Sequence, residues 1–278
     1  MGHARHISKS AVLALAAALV LPSAGPVAAA ATEVAGPPIG ECPAQVEGAL
    51  DLLPDLKMAP LYGLVIRSSS TGRKHLRFGT KSWNNGAGPI EVRSDQRSGD
   101  TMTRVAQRIY DDQGGCRDVL QPLATLWYAG DGHSHWHVSQ YMVTQLYRKT
   151  GGTPARVRKT GFCLLDLHHS DNPPPNSPPD RVYWNGVCGY GDTQSLAMGI
   201  SVGYADDYLP LIAQQWIDIT GLPKDVYRLC TGVNPYGWWL ERNGVATNNY
   251  FWYDLRLNAA NNSFTILARG RSACLKDA

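Results

Sequence analysis

The chain has 278 residues, 44% of them hydrophobic and 18% charged, with 28 glycines and 18 prolines. This composition excludes a disordered or collagen-like protein and leaves enough apolar side chain for a real core. The formal net charge is +3 and no Lys/Arg block or basic stripe occurs, which argues against nucleic acid or another polyanion as partner.

Residues 1–30 read as a secretory signal peptide. Arg5 and Lys9 precede the apolar run AVLALAAALVL, and the small residues of PVAAAA offer a cleavage site near Ala30 or Ala31. The run is shorter than the roughly 20 residues that cross a bilayer as a helix, and no later stretch reaches that length. The expectation is a secreted, extracellular protein without a membrane span. Its net charge falls to about +1 once Arg5 and Lys9 leave with the signal. All six cysteines, Cys42, Cys116, Cys163, Cys188, Cys230 and Cys274, lie in the mature part. An even number in an oxidising compartment predicts up to three disulfides.

Residues 31–52 form an irregular lead-in or propeptide, and the folded body, 53–278, comes after it. Short strand-like segments are predicted at 63–67, 74–79, 90–93, 103–110, 134–148, 226–232, 249–257 and 263–268, separated by Gly, Asn, Asp and Pro. The best helical candidate, 119–127, is interrupted by Pro122. The fold class is therefore all-β: an antiparallel β-sandwich with long loops and disulfides. Five of the ten residues 171–180 are proline, which predicts a stiff surface loop. Cys163 and Cys188 bracket that loop and are the favoured pair. The adjacent Tyr183 and Trp184 are candidates for lining an entrance. Of Trp238 and Trp239, neighbours on a strand, one is expected in the core and one exposed.

The chemistry concentrates in GDGHSHWHVSQYMVTQLYR. His133, His135 and His137 alternate with Ser134 and Trp136, so on a strand all three imidazoles project from one face. Neutral imidazoles at this spacing suit Cu, Zn, Ni or Fe, and a zinc site of the His₃ kind fits as well as a copper site. Asp131 is placed to orient one of the rings. His168 and His169 are further candidates, with solvent exposure the simpler expectation.

Several blocks in order then resemble the catalytic domain of the lysyl oxidases. The histidine strand follows Trp127 as that family's copper-binding stretch follows a Trp. RKTGFCLLD, 158–166, is similar to the segment bearing the cofactor lysine, which corresponds to Lys159. MGISVGYADDY and QQWIDIT, 198–208 and 214–220, are similar to the cofactor-tyrosine block, with Tyr208 at the tyrosine's position. VNPYGWWLERNGVATNN, 233–249, and LRF, 76–78, match further stretches. The chain departs from the family at Gly130 and Gly132, where a His and a Cys are usual, which implies a rearranged disulfide framework. The proline-rich loop likewise replaces a cysteine-containing family loop.

The resemblance implies a copper-dependent amine oxidase. Cu(II) would sit on His133, His135 and His137, and Lys159 would join Tyr208 in a lysine tyrosylquinone. Primary amines, peptidyl lysine among them, would be deaminated to aldehydes with O₂, releasing ammonia and H₂O₂. The lysine must add as a neutral amine, although a free lysine titrates near 10.4, so it has to be desolvated or close to the metal. Asp206, two residues before Tyr208 and on its face if the segment is extended, is the candidate base. A turn-forming carboxylate is the equally weighted alternative, and Asp218 reads as structural. The resemblance also implies a calcium site from Asp55, the Leu56 carbonyl, Glu241, Asn243, Asn248 and Asn249, all oxygen donors. Here the competing reading is a hairpin turn rich in Asn and Gly. Two other functions compete: a His₃ zinc hydrolase or hydratase with Lys159 and Tyr208 unlinked, and a non-catalytic extracellular copper-binding module. No Gly-x-Ser-x-Gly or two-metal carboxylate motif supports a hydrolase.

Overall fold

The computed structural model describes Met1, residues 39–129 and residues 134–276. The segment read as a signal peptide, apart from Met1, and Asp131 and His133 lie outside the described residues. Contacts divide the chain into Met1–Thr32 and Glu33–Ala278, and the sheets, the disulfides and the candidate site all belong to the second unit.

Four antiparallel sheets make up the fold. The first runs Asp51–Leu52, Val105–Asp111, Ile90–Ser94, Leu196–Ile200, with Cys116–Leu120 also on Val105–Asp111. The second runs Gly161–Phe162, His135–Ser139, Leu126–Ala129, Thr101–Met102, Arg97–Ser98. The third runs Ala155–Arg156, Met142–Arg148, Asp225–Val233, Tyr250–Asn258, Ser263–Gly270. The fourth is built on the long strand Lys74–Asn84, which pairs with Tyr204–Tyr208, Trp216–Asp218, Leu56–Met58 and Tyr62–Ser68, while His168–His169 lies outside Tyr204–Tyr208. One continuous cluster of buried apolar side chains draws on all four sheets, from Leu56 and Ile90 to Trp136, Leu229 and Leu255. Burying that apolar surface is the main stabilising force.

The eight predicted strand regions all contain strand, with shifted ends. The region 134–148 divides in two because Gln140 adopts a left-handed φ of 53° between His135–Ser139 and Met142–Arg148. The segment considered for a helix, 119–127, is instead the end of strand Cys116–Leu120, a turn at Pro122 and the start of strand Leu126–Ala129. A proline without an N–H suits that turn. Among the described residues the one helical element is a 3₁₀ turn, Thr247–Asn249.

Three disulfides join Cys42 to Cys116, Cys163 to Cys188 and Cys230 to Cys274. The favoured pair is thus present and closes the proline-rich loop, which carries no strand or helix and is largely exposed. Within the lead-in, Cys42 is bonded to the body and Asp51–Leu52 pairs with Tyr110 and Asp111. Trp239 is buried while Trp238 is half-buried and stacks on Tyr236. Tyr183 is buried, with its hydroxyl on the buried Glu91, whereas Trp184 is exposed.

Candidate active site

The histidine strand His135–Ser139 sits between Leu126–Ala129 and Gly161–Phe162. Alternation puts His135 and His137 on one face and Trp136, fully buried, on the other. The two Nε2 atoms lie 2.9 Å apart, so both nitrogens converge on one point as two ligands of one ion do. Ser134 has a left-handed φ of 54°, and the described strand begins at His135. Trp127 is the cross-strand partner of His137 and packs edge-on against its ring, centroids 5.1 Å apart.

Gly161 makes this packing possible. A Cβ there would stand 2.6 Å from Trp127 Cζ2 and 2.7 Å from His137 Cβ, distances no side chain tolerates. The next residue, Phe162, packs edge-on against Tyr208 with centroids 5.0 Å apart. The two-residue strand Gly161–Phe162 therefore touches His137 through one residue and Tyr208 through the next.

Tyr204–Tyr208 is a strand with all five residues buried, held in register by Asp206 opposite Ser82 and Tyr208 opposite Thr80. Asp206 and Tyr208 share a face, as an extended segment requires. The Tyr208 hydroxyl donates to the Cys163 carbonyl at 2.6 Å. Burial, reinforced by the neighbouring Asp206 charge, pushes that phenol well above its ordinary range. Asp206 has Oδ1 on the Asp207 N–H at 3.0 Å and a buried Oδ2 without a donor. Burial pushes its carboxyl well above the usual carboxylate range. Tyr141 is fully buried, with its hydroxyl 3.4 Å from Ser82 Oγ and its ring centroid 6.4 Å from that of Phe162.

Lys159 is 4% exposed, and its Nζ lies 4.8 Å from the centroid of the Tyr208 ring and 5.5 Å from that of Phe162. Its backbone is fixed by the tyrosine-side block: the Lys159 N–H donates to the Gln214 carbonyl at 3.0 Å and the Arg158 N–H to the Trp216 carbonyl at 3.1 Å. Gln214 takes a left-handed φ of 61°, a costly conformation for a residue with a side chain. Gln214 and the carbonyl of Cys163 were not singled out from the sequence, although both lie inside matched blocks. Backbone groups leave no residue-type signal.

An imidazole pair with converging Nε2 atoms suits copper, and a buried amine over a phenol ring, beside an orphaned carboxylate oxygen, suits a cross-linked quinone. The calcium set fits less well. Glu241 Oε1 accepts from the Asn234 and Asn249 amides at 2.6 and 2.8 Å, and Oε2 from the Leu56 N–H at 2.7 Å. Asn248 donates to Asp55 Oδ1 at 2.8 Å, Asn249 Oδ1 takes the Ala246 N–H, and Asn243 is exposed. Asn248 Oδ1 is buried without a donor, whereas calcium takes roughly six to eight oxygens. Here N–H donors do the tying.

Of the remaining candidates, His168 and His169 are exposed and bonded to Asp207 at 2.8 Å and Ser177 at 2.9 Å. Asp218 binds Arg73 at 2.6 Å and caps Thr220, a structural place. The family model described as Lysyl oxidase matches residues 91–263, more than half of the chain. No curated protein matches it significantly.

Proposed function

This chain belongs to the lysyl oxidase family, and from that premise we propose that it is a secreted amine oxidase that converts primary amines to aldehydes through a cofactor made from Lys159 and Tyr208. Copper on His133, His135 and His137, together with the quinone, would supply a two-electron oxidation of the amine carbon, with O₂ as the terminal acceptor and ammonia and H₂O₂ released. Peptidyl lysine is within this substrate class.

The observation that carries the reading is the Lys159 amine, buried and 4.8 Å from the Tyr208 ring centroid. Burial removes the water that stabilises an ammonium and so favours the neutral, nucleophilic form of an amine. The Gln214 carbonyl fixes where the lysine leaves the backbone, and the Cys163 carbonyl orients the phenol. Trp127 packs edge-on against His137 and holds that imidazole in place. Asp206 is the base: its carboxyl shares a strand face with Tyr208 and lies beside it, and once ionised a carboxylate whose pKa is raised by burial is a stronger base toward a carbon-bound proton than an ordinary one.

The test is mass spectrometry of peptides from the secreted protein after copper loading in air. The expected result is a covalent Lys159–Tyr208 peptide that stains for quinone redox cycling. Both residues unmodified in folded, fully copper-loaded protein would overturn the quinone mechanism and leave a copper-binding module or a zinc enzyme.

A further inference from the structure

Beside His135 opens a cleft of about 270 Å³ walled by Leu165, Trp184, Tyr190 and the disulfide Cys163–Cys188. The loop that forms its far side is pinned. Asp166 Oδ2 accepts the N–H groups of Val182 and Tyr183 at 2.9 and 3.0 Å. Beyond them, Trp136 donates its backbone N–H to the Cys188 carbonyl at 2.8 Å and its Nε1–H to the Tyr190 carbonyl at 2.9 Å. Between these anchors the chain turns through left-handed Asn185 and Gly186, φ 39° and 87°. The loop is thus bonded directly to the histidine strand, yet it leaves Trp184 37% and Tyr190 52% exposed. Large aromatic side chains held rigidly at the mouth of a cleft are a binding surface rather than unused core.

Two features identify the occupant. Cys163 is a wall shared with the reacting pair, because its carbonyl holds the Tyr208 hydroxyl while its disulfide lines the cleft. Among the described residues, none lining the cleft is Asp, Glu, Lys or Arg. The Arg181 guanidinium is stacked 4.2 Å from the centroid of the Trp184 ring that lines the cleft and is bonded to the Leu167 carbonyl. A second cleft, which Lys159 itself lines, is bordered by Arg156 as well, a poor approach for an ammonium ion.

We propose that Trp184 and Tyr190 form the specificity-determining wall of the amine site, taking the hydrocarbon part of a primary monoamine, and that Arg181 disfavours amines carrying a second positive charge. The assignment rests on the amine-oxidase reading. An alkyl chain gains by leaving water against the aromatic faces. A second ammonium finds no carboxylate among the described lining residues and meets a guanidinium instead.

The test is anaerobic calorimetric titration of n-hexylamine and of cadaverine into the copper-loaded full chain, with aerobic aldehyde formation measured in parallel. Trp184→Ala is expected to weaken hexylamine binding about tenfold, Trp184→Phe to restore most of it, and Arg181→Gln to tighten cadaverine several-fold while leaving hexylamine unchanged. Thermal melts confirm that each variant folds. The proposal is overturned if Trp184→Ala leaves hexylamine binding and its KM unchanged while aldehyde still forms. It is equally overturned if cadaverine binds the unmodified chain as tightly as hexylamine. Trp184-dependent hexylamine binding with no aldehyde or H₂O₂ produced would support the cleft and overturn the oxidase reading instead.

Discussion

Lys159 holds its amine 4.8 Å from the Tyr208 ring centroid although its backbone N–H is bonded to Gln214, six residues beyond that tyrosine. The contact therefore depends on two segments at once: the strand that carries the phenol and the left-handed turn that catches the lysine backbone.

Lys159→Ala and Tyr208→Phe should each abolish quinone staining and amine oxidation while copper stays bound at the wild-type stoichiometry. Tyr208→Phe also removes the hydrogen bond to the Cys163 carbonyl, a cost of about 1 kcal/mol. Metal analysis, quinone staining and a thermal melt on the same samples check this; loss of copper with the phenol would mean that Tyr208 serves the metal rather than the cross-link.

Gly161→Ala is expected to destabilise the fold by about 1–3 kcal/mol, because its Cβ would overlap Trp127 and His137. The displaced His137 ring should weaken copper binding measurably. Chemical denaturation and a competitive copper titration are the readouts. An Ala variant with unchanged copper affinity would show that the Trp127 contact does not position the histidine.

Burial raises the Glu241 carboxyl to about 7 from an ordinary 4.5, opposed by the amide donors. The folded state then keeps a proton that the unfolded chain releases, so this contribution to stability is full below about 4.5 and is lost as pH rises through about 7. Its size is on the order of 3 kcal/mol. Urea unfolding at pH 4.5, 6 and 8 should show this decline as a difference between the wild type and Glu241→Gln. Calcium and EDTA should give superimposable wild-type curves, since both Glu241 oxygens already hold N–H donors; a saturable calcium-induced rise in Tm would contradict that.

Arg108 and Asp118 form a bidentate pair with side chains 2% and 4% exposed. Arg108→Leu strands a buried carboxylate and should cost about 3–5 kcal/mol, while Arg108→Leu with Asp118→Leu should recover much of it. Denaturant midpoints of the three proteins decide it; equal losses in the single and double variants would mean that the packing, rather than the charge, matters.

By itself the sequence determined the local periods. Alternating residues between glycines, prolines and asparagines made the strands legible, the i, i+2 spacing put His135 and His137 on one face, and two cysteines flanking a proline run suggested their disulfide. Where local signals competed, as at 119–127, the proline was the better guide. The reach of each strand was not legible, because strand ends are set by pairing partners: Lys74–Asn84 runs five residues past its predicted end since Tyr204–Tyr208 pairs with that extension.

Only the tertiary structure decided which distant segments meet. It gave the Lys159–Tyr208 pair that the family resemblance implies its geometry, placed Gly161 where no side chain fits between Trp127 and His137, and turned the Glu241 oxygens onto N–H donors. It also separated Tyr183, buried on Glu91, from Trp184, exposed beside the histidine cleft. Such contacts join residues tens of positions apart through backbone carbonyls, close packing and burial. None of these leaves a trace in residue type or spacing, because each depends on what the rest of the chain places opposite.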